Sequence, residues 1–364
     1  MTGKPCLLSL IVEVTQRCNH ACLHCYNVWQ GGQYPRGELD TPRTLELLAK
    51  ALDESDCSHV TLTGGEPLLR PDLPAILDFL RQRGVRVTVI SNGRLLDEAT
   101  TRDLLRRGVG LFELPLLGDR REVHDALSGA PGAWDAVLAA MANIRLHRGQ
   151  FVAVFVATRL NIDRLYETIK LAFAFGARGL MFSRFNPGGR GREHVEELLP
   201  TAGQVRQALE VADAAAEEFG LPISCSIPIQ PCLIDTRPFK RLGFGFCAAG
   251  SERAYYTLDP LGNLRPCNHT DTILGNLFDE PFAALIAPER MDAFTSAIPA
   301  FCAECARRAE CQGGCKAAAQ VCYGSLTAEE PFLHGSLVFG RDSRRKPRTS
   351  CYCCRGQLPK VLLC

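Results

Sequence analysis

Through the first 200 residues, short apolar runs rich in β-branched side chains alternate with stretches whose apolar residues return every three or four positions. The runs LLSLIVEVT (7–15), SHVTLTGGEP (58–67), VRVTVISNG (85–93), GLFELPLLG (110–118), FVAVFVATR (151–159) and GLMFSRFNPGGRG (179–191) read as strands. Between them TPRTLELLAKALDES, LPAILDFLRQRG, DEATTRDLLRRG, AWDAVLAAMANIRLHRG and DRLYETIKLAFAFG read as helices. The first is opened by Thr41 with Pro42 in its first turn, and several close on glycine. Strand-then-helix units with runs apolar on both faces predict an α/β fold on a parallel sheet. An open sheet and an incomplete (β/α) barrel both satisfy the pattern. After residue 200 a helix TAGQVRQALEVADAAAEEFG leads to a strand LPISCSIPI, and residues 240–335 are rich in cysteine and glycine with little periodicity. That last segment carries too thin a core to fold alone, and bound metal would supply the missing cohesion.

The 364-residue chain has 41 basic and 40 acidic residues, a net charge of +1, so no overall field draws it to nucleic acid or an anionic membrane. No apolar run reaches the roughly 18 residues of a membrane span. The N-terminal MTGKPCLLSLIVEVTQRCN lacks the regions of a signal peptide. The expected location is cytoplasmic, where thiols stay reduced. Eighteen cysteines in such a chain are not staples, and they are clustered: three at 18–25, then 247 and 267, four at 302–315, and a late group at 322, 351, 353, 354 and 364. Clustering of that kind predicts metal. The basic GRDSRRKPRTS near the C-terminus reads as a solvated tail.

Six polar motifs, Cys18–Cys25, Gly64–Pro67, Ser91–Gly93, Gly118–Asp119, Arg159–Asn161 and Asn186–Gly191, each follow a strand. They therefore share the carboxyl end of the sheet, where active sites of such folds lie. Cys18, Cys22 and Cys25 make a C-x3-C-x2-C triplet. Three thiolates on a four-iron cube leave one iron open to an outside ligand. A zinc site completed by His20 or His24 is the alternative.

The triplet, the strand before it and GGEP one strand later resemble the radical S-adenosylmethionine (SAM) superfamily. The resemblance implies a partial (β/α)6 TIM-like barrel and a [4Fe-4S] cluster whose open iron is chelated by SAM. Reductive cleavage of SAM would then give a radical that takes hydrogen from a substrate. By the same resemblance Gly64, Gly65, Glu66 and Pro67 bind the cofactor's amino group, Ser91 and Asn92 its ribose or carboxylate, and Arg159 its carboxylate. His24 packs near the adenine, and RFNPGGRG (184–191) flanks the adenosine. LPLLGDRREVHDALSG departs from the family's fourth-strand passage: Pro115 and Leu117 replace Ser and Asp, and Ser128 replaces Arg. His124 and Asp125 match it, with orienting the next helix as their alternative role.

Cys247, Gly262 and Cys267, followed by Cys302-x2-Cys305-x5-Cys311-x3-Cys315, resemble the SPASM extension. It implies a C-terminal Cys-rich domain of low regular structure with two auxiliary [4Fe-4S] clusters. Cys247, Cys267 and Cys315 would serve the first, and Cys302, Cys305 and Cys311 the second. Leu333 stands where the seventh family cysteine belongs, so Cys322 is the preferred substitute ahead of His334, Cys351, Cys353 or Cys354. Cys232 is a candidate for the missing ligand of the first cluster, whose iron otherwise stays open. Cys6, Cys57 and Cys364 are given no metal role.

The resulting division is 1–200 for the barrel, 201–239 for a bridging helix and strand, 240–335 for the SPASM segment and 336–364 for the tail. Enzymes resembling this architecture mostly modify peptides. The expected function is a radical SAM maturase that cross-links or oxidises a peptide or small protein. The alternatives are a tetrapyrrole-modifying enzyme, a sulfatase-maturase-like enzyme making formylglycine, and a zinc-stabilised binding module. A flavodoxin or ferredoxin would supply electrons. The chain begins almost at its first strand, so leader recognition is expected from a separate protein or the barrel mouth. No catalytic acid or base is assigned.

Overall fold

The computed structural model describes residues 4–333 apart from 6, 8, 32, 33 and 252. Six strands, β1 (Ser9–Thr15), β2 (His59–Gly64), β3 (Arg86–Ile90), β4 (Val109–Pro115), β5 (Phe151–Ala157) and β6 (Gly179–Arg184), pair in that order and all in parallel. Leu10, Val12 and Val14 of β1, Val60 and Leu62 of β2 and Val87 and Val89 of β3 are buried in the main core. The helices between them pack onto that face. The first, Thr41–Asp53, opens at Thr41 as expected and is capped by Asp40, whose carboxylate accepts from Arg43 N.

Strands β4 to β6 alternate rather than being buried on both faces. Phe151, Phe155 and Ala157 are buried, while Val152, Val154 and Val156 between them are half-exposed. The half-exposed set shares the opposite face, which is the inside of a barrel left open. A helix absent from the sequence reading, Arg121–Ser128, follows β4. Its pattern is short and its cap residue Arg120 makes no side-chain capping bond, so neither length nor a cap announces it.

Past residue 220 the chain adds β7 (Ile223–Cys225) and β8 (Leu242–Phe244) beyond β6, then returns to the other edge. There β9 (Tyr255–Leu258) pairs parallel with β1, and β10 (Asn263–Arg265) and β11 (Gly275–Asn276) complete the sheet. Eight strand intervals separate β8 from β9, about 38 Å if the sheet were flat. Only ten residues join Phe244 to Tyr255, with a fully extended reach of about 40 Å at most. They are not extended: Ser251 and Ala254 donate back to Ala248 and Ser251. The sheet must curl, and this connection is what draws its edges together. Leu258, Leu264, Leu277 and Phe282 join the same hydrophobic cluster as the barrel strands. The segment that looked too thin to fold alone thus borrows the barrel's core.

A buried ion pair locks the added strands to the barrel. Arg265 of β10 binds Glu13 of β1, and both side chains are essentially inaccessible. Arg265 also donates to Thr270 O at 2.8 Å, and Tyr34 Oη donates to Asp259 at 2.9 Å beside it. Burial raises the Glu13 carboxyl to about 7 despite the neighbouring guanidinium. Replacing Arg265 alone by Met strands that carboxylate and is expected to cost about 3–5 kcal/mol at pH 8. A raised carboxyl loses stability as pH climbs from 4.5 towards its folded value. The penalty should therefore shrink at pH 6, where the folded protein can keep Glu13 protonated. Thermal unfolding at both pH values, with Glu13→Leu/Arg265→Met as the compensating double variant, checks this; an equal loss at both, or none, contradicts it.

Candidate active site

The loop of Cys18, Cys22 and Cys25 is held on three sides by main chain. Gly65 N donates to Thr15 O and Glu66 N to Arg17 O, each at 2.8 Å. A Cβ on Gly64 would sit 2.2 Å from Thr15 O, and one on Gly65 2.1 Å from Arg17 O. Gly64 also has φ +132°, a conformation that disfavours any side chain. On the second side Ala21 N and Leu23 N donate to Ser128 O and Leu127 O, at the end of the helix Arg121–Ser128. On the third, Gly191 N donates to Cys25 O at 2.9 Å. Gly188 and Gly189 press on Tyr26 and Asn27, where a Cβ would come within 2.8 and 2.3 Å of their carbonyl oxygens.

Glu66 does not face outward. It is fully buried and accepts from Leu68 N, Ser91 Oγ and Asn92 N at 3.1, 3.0 and 2.7 Å. Burial, outweighing those bonds, raises its carboxyl to about 7. Its work is to hold Ser91 and Asn92 beside the cysteine loop, which Asn92 Nδ2 reaches through Asn19 Oδ1 at 2.7 Å. The Gly64 carbonyl is engaged by Asn27 Nδ2 at 2.8 Å. Pro67 starts a short 3-10 turn that turns the chain away from the site.

Arg159 is exposed, and its guanidinium donates to Leu199 O at 2.9 Å. Asn161 instead ties two strand ends together, donating to Leu117 O and Val156 O at 2.8 and 2.9 Å. His124 Nδ1 accepts from Leu117 N at 3.2 Å, and Asp125 accepts from Gly132 N and Trp134 N. That pair orients the loop and the start of the helix Ala133–Leu146.

Burial raises all three thiols, Cys25 to about 11. Without a metal they are neutral; deprotonation has to be driven by the ion that binds them. Burial lowers His20 and His24 to about 4. Among the described residues, His20 Nε2 and His24 Nδ1 are buried ring nitrogens with no hydrogen-bond partner. Arg190, in the glycine loop, is the cation that favours the Cys22 and Cys25 thiolates. Sequence reasoning quoted its loop without singling it out. Among the described residues no three His, Cys, Asp or Glu side chains gather tightly enough to hold a single ion. A four-iron cube would spread the three thiolates over separate irons.

The description "Radical SAM superfamily" matches residues 12–172. The chain carries a radical SAM domain. A radical SAM domain implies a [4Fe-4S] cluster and SAM, and the cradle of three thiols at Cys18, Cys22 and Cys25 fits them. The chain is 27% identical to a PqqA peptide cyclase of Gluconobacter oxydans over 331 residues, 89% of each protein. It is 29% identical to the mycofactocin maturase MftC of Mycobacterium tuberculosis, over 85% of this chain and 78% of that one. An AdoMet-dependent heme synthase of Methanosarcina barkeri is 25% identical over 91% of this chain and 97% of its own. In fold the chain resembles Streptococcus suis SuiB bound to its precursor peptide SuiA, with TM-score 0.70 and 13% identity over 90% of this chain and 76% of that one.

Beyond the radical SAM domain, Cys247, Cys267 and Cys315 lie close enough to influence one another or the shared Tyr255. Asn186 Nδ2 donates to Cys315 Sγ at 3.3 Å. Cys315 N donates at 2.8 Å to Glu330, which a fully buried Arg184 clamps with two bonds of 2.8 and 2.7 Å. Gln230 joins the same carboxylate. Cys302, Cys305 and Cys311 line a second pocket. Cys322 lies on the helix Lys316–Tyr323, with Arg192 and Glu330 as its charged neighbours. His334, Cys351, Cys353, Cys354, Cys364 and Cys6 fall outside the described residues.

Among the described residues, no helix is long and apolar enough to cross a membrane. One group escaped the sequence reading: Glu113, on the open face of β4, raised to about 7 by burial. A carboxylate inside a strand called apolar was its only signal. Gly65→Ala forces a Cβ into Arg17 O and should displace the cysteine loop. Anaerobically reconstituted protein is expected to lose about four irons per chain, the content of one cube, by colorimetric assay; full iron content contradicts the cradle.

Proposed function

We propose that this radical SAM enzyme modifies a peptide or small protein by hydrogen abstraction, as a maturase that makes a cross-link, thioether or related oxidation. The observation that carries the reading is coverage. The likeness to the PqqA peptide cyclase runs over 89% of the chain, well beyond the radical SAM match at residues 12–172, and so takes in the cysteines from 247 to 315. Bound SAM and a reduced cluster supply a hydrogen-abstracting radical. The chain's own residues fix the reactants. Glycines 64, 65, 188 and 189 allow the close approach of three loops. Glu66 sets Ser91 and Asn92. Arg190 offsets thiolate charge.

Arg159, Ser91, Asn92 and His24 are proposed cofactor contacts, and Gly64–Pro67 the turn that shapes them. The half-exposed Val152, Val154, Val156 and Met181 with Glu113 form the face offered to substrate. Each bond formed would take two hydrogens from the substrate, one as an atom and one as a proton plus an electron; an auxiliary cluster held by the C-terminal cysteines would supply the acceptor for that electron. Glu113, with its carboxyl near 7, is suited to take that proton. A flavodoxin or ferredoxin is proposed as electron donor, a separate protein as leader binder, and the cytoplasm as location.

The heme-synthase likeness favours a tetrapyrrole substrate as the second reading. Co-expression with short open reading frames adjacent to this gene, followed by high-resolution mass spectrometry, separates the two. The expected result is a peptide lighter by two or four hydrogens. An unchanged peptide, with protein that purifies bearing a porphyrin-like absorbance, contradicts it.

A further inference from the structure

Cys302, Cys305 and Cys311 line one pocket wall together with Cys232. Cys232 comes from the loop between β7 and β8, seventy residues before Cys302 in the chain. We infer that Cys232 is the fourth thiolate of the auxiliary cluster held by Cys302, Cys305 and Cys311, a proposal that rests on the maturase reading above. It replaces both earlier assignments: Cys232 leaves the first cluster, and Cys322 is not needed for the second.

The turn that presents Cys232 is built rather than incidental. Leu233 N and Ile234 N both donate to Gln230 O, at 2.9 and 3.1 Å, which folds residues 230–234 into a tight turn. Ile229, Gln230 and Ile234 are buried at 3%, 1% and 0% exposure, while Cys232 between them is half-buried at the pocket wall. The Gln230 side chain is fixed on Glu330, and Arg206 donates to Leu233 O at 3.2 Å. Gly314 makes this junction possible, since a Cβ there would come within 2.1 Å of Gln230 Nε2. Asp235, just past the turn, is lowered chiefly by its hydrogen bonds from Arg237, with Arg307 of the pocket wall the smallest contributor.

Four thiolates around a cube carry net negative charge, and guanidinium groups at the rim reduce the cost of holding it in a partly buried site. Arg307 and Arg308 stand on that rim. Cys322 does not line the pocket. The arrangement also explains how a chain with Leu333 at the place of the seventh cysteine can still complete four ligands: the missing thiolate enters from upstream.

The test uses full-length protein with Cys18, Cys22 and Cys25 changed to Ala, so that only auxiliary clusters remain. Iron and sulfide are counted, and the reduced state is read by electron paramagnetic resonance. The parent should hold about eight irons. Cys232→Ser should lose one to four of them and lose or shift one of two reduced-cluster signals, whereas Cys322→Ser should match the parent. As a check that does not depend on a variant folding, alkylation of wild-type protein followed by peptide mapping should find Cys232 shielded until iron is chelated. Parent-like iron and spectra in Cys232→Ser, or loss only in Cys322→Ser, overturn the assignment while leaving the maturase reading intact. A parent holding no iron also overturns the assignment, while the peptide mass measurement above tests the maturase reading separately.

Discussion

Everything at the site depends on backbone approaching backbone where no side chain fits. The cysteine loop meets Gly64 and Gly65 on one side and Gly188 and Gly189 on another, at separations that a single Cβ would occupy. Carbonyl and amide groups bond directly across these contacts. Three thiols in a loop are otherwise a flexible set, costly to order. Clamped this way, they reach the carboxyl ends of the strands with their spacing already set, and the ligand pays little of the ordering.

A second constraint is topological. Ten residues between β8 and β9 cannot bridge the edges of a flat sheet of this width, so the sheet curls and its inner face becomes a cleft. The same curl brings Cys315 against Asn186, just past the carboxyl end of β6. Glu330 is the meeting point: Arg184 from the end of β6, Gln230 from the turn after β7 and the backbone of Cys315 all bond to its carboxylate. Both cysteine groups beyond the barrel are therefore referenced to one buried acid. Their positions relative to the first cysteine loop do not rest on metal alone.

Much of this was legible in the sequence. β-Branched runs and glycine stops located the six barrel strands, and the position of GGEP one strand after the cysteine triplet pointed to the chemistry. What escaped was set by tertiary contact. Glu66 was read for the cofactor's amino group, and the sequence did not show that its carboxylate also holds the next loop through Ser91 and Asn92. The pairing of β9 with β1 joins residues some 245 positions apart, and no local pattern encodes it. Cys232 could be seen as a candidate, but not which group of cysteines it would join. The helix Arg121–Ser128 has too few residues for its period to stand out, and it turned out to hold Ala21 and Leu23 of the cysteine loop.

The central claim is that the Cys18–Cys25 loop carries a cluster able to split SAM. Anaerobic, iron-reconstituted protein reduced with dithionite should convert SAM to 5′-deoxyadenosine and methionine, and the variant with Ala at 18, 22 and 25 should not. Chromatography of the nucleoside product decides it. Fully iron-loaded protein that forms no 5′-deoxyadenosine, or a triple variant that forms as much as the wild type, would contradict the account.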